Sequence, residues 1–114
     1  MTIEELFTRI QAKSESVKFN DSLSALIHID IKGVSGGGDQ KWLVSLANGR
    51  AQLASGEAGV ATREPDVSVA LKETTLLSLA SREMAPLKAF LLGRVKVKGD
   101  ISLLGQLKYL WPES

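Results

Sequence analysis

The sequence predicts an α+β fold: a five-stranded, mostly antiparallel sheet with helices covering one face, giving a two-layer sandwich. Three features predict it. Apolar residues recur at helical spacing near the start, beyond the middle and near the end, and at alternating spacing in five short runs. Connections between the early runs are short, which favours antiparallel neighbours. Each alternating run is apolar on one phase, so the sheet has one face that the helices must cover.

The elements follow in order. Thr2 followed by Glu5 is a capping-box pattern, and Ile3, Leu6, Phe7 and Ile10 share one helical face before Lys13-Ser14-Glu15-Ser16 ends the segment. From Ser24 the period becomes two, with Ala25, Ile27, Ile29 and Ile31 on one phase and Leu26, His28 and Asp30 on the other. Gly36-Gly37-Gly38-Asp39 breaks this strand, and Trp42, Val44 and Leu46 belong to a second. Asn48-Gly49 is a two-residue hairpin signal because both positions tolerate positive φ, and Ala51 to Ser55 is the return strand. Val67, Val69 and Leu71 mark a fourth strand. Helical spacing returns at Glu73 with Leu76, Leu77, Leu79 and Ala80; Pro86 then suits a first helical turn, and Leu87, Phe90 and Leu91 precede the stop at Gly93. Arg94-Val95-Lys96-Val97-Lys98 reads as a fifth strand, valines inward and cations outward. Gly99-Asp100 caps a last helix with Leu103, Leu104, Leu107, Leu110 and Trp111, stopped by Pro112. No linker or repeat divides residues 1–114, which read as a single domain.

Composition excludes several functions. Net charge is +1, so the basic footprint of a nucleic-acid binder is missing. There is no cysteine and one histidine, His28, which cannot build an ordinary zinc site alone. His28 on the polar phase of a strand reads as a surface residue, and no acid is paired with another on an apolar face, so no general acid–base pair is expected. Glu4-Glu5 suits a first helical turn electrostatically. Ser35-Gly36-Gly37-Gly38-Asp39 lacks the phosphate-loop pattern and opens no helix, so it reads as a hairpin connection, as do Gly56 and Gly59 between strands. No catalytic residue, metal or cofactor is expected. Met1-Thr2-Ile3-Glu4-Glu5 is not a secretory leader, no apolar run approaches membrane-spanning length, and Trp111-Pro112-Glu113-Ser114 is not a peroxisomal address. A cytoplasmic location is the expectation.

The region from Asp66 to Trp111 is rich in large apolar residues. They either meet as plain core or line a cavity, around which Met84, Phe90 and Trp111 can adapt to a flexible chain. Periodicity alone leaves both open. Here the sequence resembles the sterol carrier protein type two domain family. The resemblance rests on Pro65-Asp66-Val67-Ser68-Val69 ahead of Leu76, Leu77 and Leu79, then Pro86, Lys88-Ala89-Phe90 and Gly93-Arg94-Val95-Lys96-Val97-Lys98-Gly99-Asp100, followed by Leu103 and Leu107. Trp42 and Asn48-Gly49 stand where that family has its strand tryptophan and hairpin. The resemblance implies a hydrophobic tunnel between sheet and helices that binds sterols, fatty acids, acyl-CoA esters or phospholipids. It puts the tunnel wall at Leu76, Leu79, Met84, Phe90, Leu91, Leu103, Leu104 and Leu107, with Trp42 and Trp111 near it. Ser81-Arg82-Glu83 replaces a glycine-containing turn of many relatives, and the final helix is shorter. A more open tunnel, or one closed by a second copy in a homodimer, is the consequence.

The expected function is non-enzymatic lipid binding and transfer. The alternative is an interaction module with the same fold and a collapsed cavity. From Arg82 onward six cations (Arg82, Lys88, Arg94, Lys96, Lys98, Lys108) face three acids (Glu83, Asp100, Glu113). Lys88, Arg94, Lys96 and Lys98 therefore form the expected docking surface for an anionic membrane. The segment from Ser81 to Pro86, between two helices, is the expected hinge of a lid.

Overall fold

The computed structural model describes residues 2–34, 38–55, 64–107 and 109–110. A first helix, α1 (Ile3–Ser14), is capped by Thr2, whose Oγ1 accepts a hydrogen bond from the Glu5 N–H at 3.1 Å. Ile3, Leu6, Phe7 and Ile10 are its buried stripe, as the spacing requires. Three strands follow: β1 (Ala25–Lys32), β2 (Gln40–Ala47) and β3 (Arg50–Ser55). Asn48 and Gly49 both take positive φ, 54° and 79°, and turn β2 directly into β3.

The fourth strand, β4 (Val67–Lys72), does not continue this meander. It crosses the sheet to pair with β1 in parallel, so the spatial order is β3-β2-β1-β4-β5, with β5 spanning Val95–Gly99 and every other pairing antiparallel. The five-stranded, mostly antiparallel α+β sheet expected from the pattern is the observed one, with its single parallel pair at the centre. The register aligns the apolar phase in rows. One row is Leu53, Val44, Ile27 and Val67; the next is Trp42, Ile29, Val69 and Val97. α1 covers the β3 side, and α2 (Glu73–Ala80) lies over β1 and β4 and meets α1.

The last third is thinner. The short α3 (Pro86–Leu91) packs on β5 through the fully buried Ala89, a side chain small enough for close approach. Gly93, at φ 72°, closes it, with its N–H on Phe90 O and the Arg94 N–H on Ala89 O. After β5, Asp100 caps a 3-10 turn (Ile101–Leu103), and α4 covers only Leu104–Leu107. This ending is more broken than the leucine spacing suggests. Gly105 sits inside the short α4, and glycine costs about 1 kcal/mol relative to alanine in a helix interior.

Candidate functional site

Burial varies along the apolar layer between sheet and helices. Leu6, Phe7, Ile27, Val44 and Leu46 are buried, as are Leu76 and Ala80 of α2 and Val67, Val69 and Leu71 of β4, whereas Trp42 and Leu53 beneath α1 are partly buried. Near β5 the cover is also incomplete. Leu77, Leu79, Val95, Val97, Leu103 and Leu104 pack against the core but remain half-buried. Phe90, Leu91, Leu92 and Ile101 are 45, 74, 57 and 56% exposed. Three of these, Phe90, Leu91 and Leu92, are consecutive and form one exposed apolar end of α3.

Of the sequence-predicted tunnel residues, Leu76 lies in the closed core, and Leu79, Leu103 and Leu104 line its half-buried margin. Met84 is half-buried in the α2–α3 connection. Phe90 and Leu91 lie on the outside of α3, the latter largely solvated. Trp42 stacks flat on Phe7, ring centroids 3.9 Å apart at 2°, which joins β2 to α1. The side chain of Leu107, and the whole of Trp111, lie outside the described residues.

Two polar atoms interrupt this layer. The Trp42 indole nitrogen and Gln40 Oε1 are buried without a hydrogen-bond partner. They stand two residues apart on β2 and so share its inner face. Sequence reasoning missed Gln40, whose polarity on an apolar phase was the available signal. Among the described residues the buried polar side chains are Ser14 and Thr75, and no cluster of three or more His, Cys, Asp or Glu side chains is arranged to hold a metal. No helix among them is long and apolar enough to cross a membrane.

The cations divide between two surfaces. Lys88 and Arg94 bracket the exposed apolar end of α3, both exposed. Lys96 and Lys98 project from β5 on the opposite phase to Val95 and Val97, onto the face of the sheet away from the half-buried layer.

The segments that define this architecture correspond to known ones. The sequence profile described as the SCP-2 sterol transfer family matches residues 3–111. "Sterol carrier protein 2" of Gallus gallus is 24% identical over 110 residues, 96% of this chain and 19% of that protein. "Stomatin-like protein 1" of Mus musculus is 37% identical over 68 residues, 59% of this chain and 16% of that protein. The chain thus spans a fifth or less of the length of these curated relatives. The solution structure of palmitated SCP2L2 from Aedes aegypti has the same fold, with a TM-score of 0.72 at 23% identity over 94% of this chain and 91% of that one. A profile match running over residues 3–111, with an overall fold shared with a solved relative, shows that the chain belongs to the SCP-2 sterol transfer family.

Proposed function

We propose that the chain is a non-enzymatic lipid carrier that holds an apolar chain along the open side of its sheet–helix layer. The observation that carries this reading is the incomplete cover of the apolar layer near β5. Leu77, Leu79, Val97, Leu103 and Leu104 are only half-covered there, and Leu91 and Leu92 at the tip of α3 are exposed. An alkyl chain inserted there finishes the burial of these side chains. Each methylene contributes about 0.8 kcal/mol, so ten supply about 8 kcal/mol before immobilisation costs. Loose selectivity follows, since the effect has no direction.

Family membership supports the same function, and the Aedes aegypti relative is palmitated, which makes a fatty acyl chain the first probe. The unpartnered Trp42 N–H and Gln40 Oε1 offer a donor and an acceptor to a ligand's polar end. Arg82, in the left-handed region at φ 64°, ends α2 and is the pivot we assign to the lid formed by α3.

Transfer requires a membrane encounter. Leu91 and Leu92 at the tip of α3, flanked by Lys88 and Arg94, suit insertion beside anionic head groups, at about 1 kcal/mol per well-placed cation. Displacement of a fluorescent fatty acid by unlabelled palmitate tests the carrier reading. Saturable displacement is expected; a folded chain that binds neither molecule is instead an interaction module with a filled core.

A further inference from the structure

The face of the sheet away from the helices carries a feature unrelated to the apolar layer. Along β4 two successive outward side chains, Ser68 and Ala70, are small, while both neighbouring strands carry longer ones beside them. Ser68 lies between His28 on β1 and Lys98 on β5; Ala70 lies between Asp30 and Lys96. Small residues on a central strand with tall ones either side make a trough. The result is a groove of about 190 Å³ lined by these six residues with Val69 and Val97. It is many times the space one water needs, yet below the roughly 300 Å³ at which pockets for whole drug-sized ligands begin. It fits a polar head group and not an acyl chain.

Its chemistry is directional. Ser68 has His28 on one neighbouring strand and Lys98 on the other, with Lys96 next along the same face of β5; strands lie about 5 Å apart, within reach of a lysine side chain, so these groups can serve one anion over Ser68. Asp30 sets the other end. Its Oδ2 pairs with the Lys32 ammonium at 2.9 Å, and the same ammonium also reaches Asp39 at 3.1 Å. Its Oδ1 is shielded from solvent and has no hydrogen-bond partner. The terminal torsion of a carboxylate is soft, so a donor placed in the groove can engage that oxygen.

We propose that this groove binds a small phosphate ester bearing its own hydrogen-bond donor. The phosphate sits over Ser68 against His28, Lys96 and Lys98, and a neighbouring hydroxyl or ammonium donates to Asp30. Phosphoethanolamine, free or as a lipid head group, has this chemistry.

The test is an amide-resolved NMR titration of the whole chain at constant ionic strength with phosphoethanolamine, methyl phosphate and sulfate. Saturable shifts confined to residues around 28–30, 68–70 and 96–98 are expected, with phosphoethanolamine about tenfold tighter than methyl phosphate through the added charged hydrogen bond. Ala70→Leu fills the trough from solvent and should abolish the shifts. Asp30→Ala should reduce phosphoethanolamine to the level of methyl phosphate. Phosphatidylcholine vesicles with and without phosphatidylethanolamine separate the sources: binding of free ester alone identifies a soluble metabolite, and added binding to phosphatidylethanolamine identifies a lipid head. Unsaturable shifts, equal shifts with sulfate, or shifts that survive Ala70→Leu in a folded chain overturn the proposal. Fatty-acid displacement by Ala70→Leu should match the unmodified chain, so failure of the groove leaves the carrier reading separately testable.

Discussion

Asp66 ties three strands together at one point. Its carboxylate accepts from the Leu26 N–H at 2.7 Å, its own N–H reaches Leu26 O at 2.9 Å, and its carbonyl accepts from the Asp100 N–H at 2.8 Å. Gly99 lies against that carbonyl at φ 107°, where a Cβ would collide with backbone. The Pro-Asp and Gly-Asp pairs that carry the family resemblance are therefore the two halves of one junction, joining the starts of β1 and β4 to the end of β5. Asp66→Ala should lose about 1.5–3 kcal/mol in urea unfolding, as expected for a hydrogen bond to a charged group. Gly99→Ala should be destabilising as well, through strain and not through lost contacts. The sequence displayed both motifs but not that they meet, because a contact across 40 residues leaves no local periodicity. Gln40 was missed differently: it lies at the first position of β2, ahead of the Trp42, Val44 and Leu46 alternation that marked the strand.

Among the elements, α1, β1 and β2 were legible because each has one strong period and one buried face. Their stability should reflect it. Ile27→Ala, at the fully buried centre of β1, should cost about 2–5 kcal/mol by equilibrium unfolding. α3 behaves oppositely. Its pattern marked a helix, but which side of it meets the body depended on Ala89, the least conspicuous residue of Lys88-Ala89-Phe90-Leu91. Leu91→Asp should leave unfolding within about 0.5 kcal/mol of the unmodified chain, since Leu91 is 74% exposed. It should nonetheless slow delivery of fatty acid to vesicles. Lys88→Glu with Arg94→Glu should slow transfer to anionic vesicles more than to neutral ones, while leaving the outer groove intact. Equal slowing on both vesicle types would remove electrostatic docking. The final helix was over-read: leucine spacing extended it to Trp111, whereas the 3-10 start and Gly105 restrict the described α-helical part to Leu104–Leu107.

For the whole molecule, alternation predicted five strands and the side to be covered, but not that β4 inserts beside β1 in parallel. That crossover places the small Ser68 and Ala70 between taller neighbours and so creates the outer groove. It also brings β5 to the sheet edge under the thinnest part of the helical layer. Two faces with different chemistry result, one apolar and incompletely covered, the other polar and concave. The carrier account depends on the first. Its most direct test is titration of the purified chain, stripped of lipid, with a fluorescent fatty acid, followed by competition with palmitate. Saturable binding that palmitate reverses, and that Leu79→Asp weakens in a chain still folded by circular dichroism, is the predicted result. A folded chain with no displaceable binding would contradict it.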